Sequence, residues 1–360
     1  MSEDALLIEA IARGDMRSTA ELLTSADASR AVNARHGQVL RCRPPPFALH
    51  RPRSNDRPQF GRTPLLEACR RGCLASIRLL LERGALPDLG DHQGYSPLFW
   101  AVRTGQLEAL DLLLSYEADY DALGGDGSTP LYQASHRCQE RFVSVLLEAG
   151  ADPNIRSKNG STCLHKPSQR GHAGVVGLLL LHRADQNARD ARGWSPLHEA
   201  AFGRSAQVTA LLLNHGADPN LLSSKNEGPL LLAVKKNSLD VVQMLLNGGA
   251  LPNVVSKPGE TPLQRACLSG KCTMVKALLD GGADPDMLAN GFHPLTHAAL
   301  SGHEAVVDTL LSAGADARHR DKDSVPLLLR VAAAGLVRIA SLLLSHGASA
   351  NDRSRVGLFI

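Results

Sequence analysis

The chain has 360 residues, 43% hydrophobic but only 4% aromatic, and a formal net charge of +3. So mild a charge carries no argument for nucleic acid or a membrane surface, and no apolar run approaches the roughly 18 residues that cross a bilayer. Leucine and alanine without many rings suit thin stacked layers better than one thick core.

Seven cysteines are present, an odd number. Cys69 and Cys267 stand where alanine stands elsewhere, and the pairs Cys69–Cys73 and Cys267–Cys272 lack a second pair at zinc-ligand spacing. They read as small core residues of a reducing compartment, so neither a metal nor a cofactor is expected. The N-terminus shows no basic-then-apolar leader. The expected placement is intracellular, cytoplasmic rather than nuclear.

Taken in order, residues 1–36 form an atypical capping unit. Leu6, Leu7, Ile8, Ala10 and Ile11 precede Arg13-Gly14-Asp15 and Leu22-Leu23, which predicts two short helices. Residues 37–58 then insert Arg41-Cys42-Arg43-Pro44-Pro45-Pro46 and Arg51-Pro52-Arg53. Such composition opposes helix and strand. Three readings stand for it: a flexible loop, a basic recognition arm, or a sequence-assembly artefact.

From 59 to 352 one unit recurs nine times. It is clearest in Gly193-Trp194-Ser195-Pro196-Leu197-His198-Glu199-Ala200-Ala201, followed by Leu211-Leu212-Leu213-Asn214-His215-Gly216-Ala217-Asp218-Pro219-Asn220. Its proline returns at Pro64, Pro97, Pro130, Pro196, Pro229, Pro262, Pro294 and Pro326, at steps of 33 residues that shorten to 32 at the end. Cys163 takes the missing place, and self-similarity at such a period marks a repeat architecture. Ser195 suits a helix N-cap and Pro196 the first helical position, where no useful donor is lost. Paired leucines such as Leu212 and Leu213 mark a second helix, which Gly216 ends in a left-handed conformation.

Departures from the pattern predict strained joints. Glu117 and Arg183 replace the glycine after the outer helix, Cys138, Arg204 and Asn237 the glycine between helices, and Asn226 the turn glycine. Gly228, His293 and Val325 occupy cap positions. Pro167 falls within an inner helix, where an interior proline costs roughly 3 kcal/mol; the fourth unit is therefore expected to be the soft joint. Behind the ninth unit, the apolar tail Val356, Leu358, Phe359 and Ile360 is expected to fold back over the last layer, or a longer form to continue.

These motifs make the chain resemble the ankyrin repeat family, over residues 4–35 and 60–351. The resemblance implies an all-α solenoid of helix-turn-helix layers joined by hairpin-like fingers, non-enzymatic and used to bind other proteins. It also implies that His165 and His198 bond backbone in a neighbouring repeat rather than act in catalysis. No catalytic residue is expected: no nucleophile elbow, zinc-protease or phosphate-loop motif occurs. His293 and His297 lack a third ligand in register for a metal.

The family's concave face places weight on the end of each inner helix. In order that column holds Arg70, Arg71, Arg103, Arg137, Arg170, Arg204, Lys235 and Lys236, with Phe202 among them, and then turns neutral at Leu268 and Leu300. It reads either as a solvated helix end that suits the helix dipole or as a stripe for an acidic partner. Tyr95 and Trp194 at the finger tips read as interface anchors or as packing against the next finger. Three functions follow. The first is a protein-binding scaffold or adaptor gripping an acidic, extended segment. The second is a ubiquitin-ligase substrate receptor of the ankyrin-repeat and SOCS-box type, whose helical box is missing after the repeats. The weakest is nucleic-acid or phosphate binding, with Trp194 and Phe202 as stacking surfaces. Membrane partners are not expected.

Overall fold

A computed structural model describes residues 3–23, 62–320 and 324–351. Twenty helices occur among these residues, with no β-strand and two isolated bridges, Ala289 with Phe292 and Arg320 with Pro326. The insertion 37–58 and the tail 353–360 lie outside the described residues, as does Phe60. The fold is an all-α solenoid of helix pairs; the first pairs an 11-residue helix with one of 7, and each later pair has an inner helix of six to eight residues followed by an outer one of nine.

The helix starts follow from local chemistry. Thr63, Ser96, Thr129 and Thr261 each accept a hydrogen bond from the backbone amide three residues on, at 3.0 to 3.2 Å, with proline at the next position. At Ser195 the Nδ1 of His198 accepts from the Ser195 backbone amide at 3.1 Å. With Nδ1 an acceptor, Nε2 carries the proton and donates to the Glu227 carbonyl of the next repeat at 3.1 Å. His165 Nδ1 accepts from the Thr162 amide in the same way.

The ends follow too. Glu117, Cys138, Arg183, Arg204, Asn226 and Asn237 all take the left-handed backbone, with φ from 55° to 62°, that glycine takes at the equivalent joints. The turn geometry is therefore imposed by the stack even where the residue resists it.

Two expectations are corrected. The inner helix of the fourth repeat runs His165–Arg170, so it starts two residues later than its counterparts and places Pro167 in its first turn. The amide that proline lacks has no intrahelical acceptor there, and the interior cost does not apply. In the ninth repeat the N-cap is Pro326 rather than Val325, and the helix runs Leu327–Ala333.

The chain divides into two compact units, 1–167 with 177–185, and 168–176 with 186–360, so the division runs through the fourth repeat. In the first unit the helix Glu3–Arg13 packs on Pro64–Arg71, which packs on Pro97–Thr104, which packs on Pro130–His136. In the second, Pro196–Gly203, Pro229–Lys235, Pro262–Leu268, Pro294–Leu300 and Leu327–Ala333 stack in that order, with their outer helices stacked alongside. Leu197, Ala200, Ala201 and Leu212 are buried, as are Cys69, Cys163 and Cys267.

Candidate functional site

The basic residues of the column stand in the last turn of the inner helices or at the cap that follows, where, at the lip of the layers, burial gives way to half-buried and exposed positions. In the first unit the helix Pro64–Arg71 carries Arg70 and Arg71 there, yet both turn back onto Glu67. Its carboxylate accepts from Arg70 Nη2 at 2.7 Å and Arg71 Nε at 2.9 Å, with Arg62 at 3.3 Å. Burial would raise the Glu67 carboxyl, but the hydrogen bonds from Arg70 and Arg71 and the nearby charges outweigh it and hold the group below its usual range.

Arg103 is exposed, and its guanidinium lies 4.8 Å from the centroid of the Trp100 ring. Trp100 Nε1 donates to Asp91 at 3.2 Å, and the other oxygen of Asp91 accepts from the Tyr95 amide at 3.1 Å. The indole is thus held as a platform for Arg103, and stacking on a ring leaves the edge of a guanidinium open for bidentate bonding. One repeat on, His136 holds the place of Arg103, and Arg137, which follows it, is exposed. Tyr95 stacks on Phe99 at 4.3 Å, and burial and the Asp126 carboxylate push its phenol up. Its ring is half-buried within the finger.

In the second unit Arg170 and Arg204 are exposed. Trp194, Phe202 and Lys236 come together with Arg192. The Arg192 guanidinium lies 4.2 Å from the Trp194 ring, Trp194 meets Phe202 at 5.4 Å in a tilted pair, and Lys236 Nζ lies 3.8 Å over Phe202. Arg192 also pairs with Asp190 at 2.8 Å and with Glu199, whose other oxygen accepts from Gln169. Lys235 bridges Glu227 at 2.8 Å and Glu260 at 3.2 Å. Burial works against the Lys235 charge, but the bonds to both glutamates hold its pKa above the ordinary lysine value.

The column therefore sorts itself. Arg70, Arg71 and Lys235 are matched by carboxylates of their own unit, Arg103 and Lys236 rest on rings, and Arg137, Arg170 and Arg204 lie at the surface. Sequence reasoning missed Glu67, Trp100, Arg192, Glu199, Glu227 and Glu260. Glu67 was within reach of the rule that residues three and four apart share a helix face, and so was Trp100, three residues before Arg103. Glu260 was not, because it reaches Lys235 from another repeat. Among the described residues no group of three or more His, Cys, Asp or Glu could hold a metal ion, and no helix is long and apolar enough to cross a membrane.

Stacked helix pairs with this lip define a repeat protein. A family model described as ankyrin repeats, in three copies, matches residues 7–123, 131–223, 178–257 and 230–321. The chain belongs to the ankyrin repeat family. A search of curated proteins returned no match. The family is generally non-enzymatic, and its repeats serve generally as scaffolds for contact with other proteins.

Proposed function

We propose that the chain is a scaffold or adaptor that grips an acidic, extended segment of another protein along its inner-helix ends. The observation that carries this reading is Arg103, exposed and stacked on Trp100, with Arg137 exposed at the inner-helix end of the next repeat, one position further along. A cation oriented by a ring, with no carboxylate paired to it among the described residues, is ready for a partner's carboxylate. Arg204 offers further charge at the lip of the second unit, while Arg70, Arg71 and Lys235 serve their own units first. Arg192 and Lys236 lie on the rings where a base would stack, which disfavours the nucleic-acid reading.

The test uses synthetic peptides rich in glutamate against peptides with glutamine in its place, binding to the full chain. The acidic set should associate faster, and raising salt from about 50 to 500 mM should slow it markedly, because the Debye length then falls well below ~10 Å. The double variant Arg103→Glu/Arg137→Glu should abolish the difference between the two sets. Equal binding of both, independent of salt and of the variant, would make the column a solvated helix end.

A further inference from the structure

Three asparagines of the chain are followed by glycine: Asn159, Asn247 and Asn290. That dipeptide carries its own chemistry. The backbone amide nitrogen of the second residue can attack the side-chain carbonyl of the first, and glycine, having no Cβ, leaves the approach open and the backbone free to turn. Since the three pairs are chemically alike, the fold decides which of them reacts.

Two are held back. The Gly160 amide donates to the Ser157 carbonyl at 2.8 Å, and the Asn159 Oδ1 accepts from the Ser161 amide at 3.0 Å and from the Ser157 hydroxyl. Nucleophile and target are thus both engaged. Asn247 is the last residue of the helix Leu239–Asn247, and the Gly248 amide donates back to the Met244 carbonyl at 2.9 Å. Reaction there has to break that bond first.

Asn290 differs on each count. It is exposed at the tip of a two-residue turn closed by Ala289 and Phe292, whose amides and carbonyls exchange hydrogen bonds at 3.2 and 3.1 Å. Asn290 and Gly291 both take the left-handed backbone, with φ 51° and 77°, the pattern of a tight hairpin turn. Among the described residues neither the Gly291 amide nor the Asn290 side chain makes a hydrogen bond.

We propose that Asn290 is a self-modifying site, at which the chain converts this asparagine to aspartate and isoaspartate without an enzyme. The Gly291 nitrogen gives its proton to solvent and forms a bond to Asn290 Cγ; the side-chain nitrogen takes up a proton and leaves as ammonia, and a cyclic succinimide remains. Water then opens that ring. Opening at the side-chain carbonyl gives aspartate, whereas opening at the main-chain carbonyl gives isoaspartate, which carries the chain through its side chain and lengthens the backbone by a carbon. No electrons are exchanged. The consequence is local: the lengthened turn no longer fits between Ala289 and Phe292, and the carbonyls of these two residues hold the Gln264 side chain of the preceding repeat at 3.1 and 2.6 Å. Modification at Asn290 therefore loosens the finger that joins these two repeats.

The experiment ages the full chain at mildly alkaline pH, folded or in concentrated urea, and follows the three asparagines by peptide mass mapping, with an isoaspartate-specific methyltransferase to mark the isoaspartate form. Folded, Asn290 should convert on the order of tenfold faster than Asn159 or Asn247, the rate equivalent of about 1.4 kcal/mol and so of one hydrogen bond to be broken first. In urea the three should converge, because only the dipeptide remains. Hydrogen exchange at the Phe292 amide should be faster in the isoaspartate form than in fresh chain. Equal conversion in the folded chain, earlier conversion of Asn159 or Asn247, or a rate difference that survives in urea overturns the inference. An isoaspartate form whose Phe292 amide stays as protected as before overturns the loosening of the finger.

Discussion

The Glu67 carboxylate accepts two hydrogen bonds from Arg70, at 2.7 Å and 2.9 Å, while the glutamate side chain itself is only 2% exposed. A third arrives from Arg71. The acid is thus the centre of a basic cluster, and two arginines that look available in the sequence are drawn inward by it.

Glu67→Gln should destabilise the first unit by about 1–3 kcal/mol, the range for losing charge-assisted bonds at a buried acceptor whose partners remain partly hydrated. The Glu67 carboxyl titrates below its unfolded value, so its contribution is full above that value and is lost as pH falls through the lowered folded value. Urea unfolding at pH 7 and near pH 3 checks this: the gap between wild type and variant should shrink at the lower pH.

Glu117 adopts φ 59° at a joint where Gly249 has φ 85°. Glu117→Gly should stabilise the fold by about 0.5–1 kcal/mol, the relief of a left-handed side chain less the added freedom of glycine when unfolded. Conversely, a Cβ at Gly249 would meet nothing within 4 Å. Gly249→Ala should therefore lose about 1 kcal/mol through backbone conformation alone, measured by the shift in urea midpoint at constant slope.

Burial pushes the thiols of Cys69 and Cys267 far up, and that of Cys163 to about 12. The thiolate is the reactive form. At pH 8 an alkylating reagent should modify the half-buried Cys73, Cys138 and Cys272 in the folded protein. Peptide mass mapping should find Cys69, Cys163 and Cys267 modified only after denaturant is added.

Pro167 lies in the first turn of His165–Arg170. Pro167→Ala should therefore change stability by no more than about 1 kcal/mol, not recover the ~3 kcal/mol of an interior proline. Hydrogen exchange over residues 162–182 should be little altered by the substitution.

The repeat, its helix pairs and their threonine and serine caps were legible in the sequence, because each depends on residues within a few positions. Pro196 and Ser195 specify a helix start whatever surrounds them, and the recurrence of Leu212 and Leu213 specifies which face must be covered. The basic column was legible as a pattern of charge, but its state was not. Whether an arginine serves its own unit or faces solvent depends on acids brought near by stacking: Glu260 reaches Lys235 from the next repeat, and Trp194 and Phe202 gain Arg192 and Lys236 as their cover. Where a Ser or Thr cap precedes proline, the helix start is a local decision of backbone hydrogen bonding, which sequence by itself determines. Charge pairing and ring burial are decided by distances across the stack, which only the tertiary structure supplies.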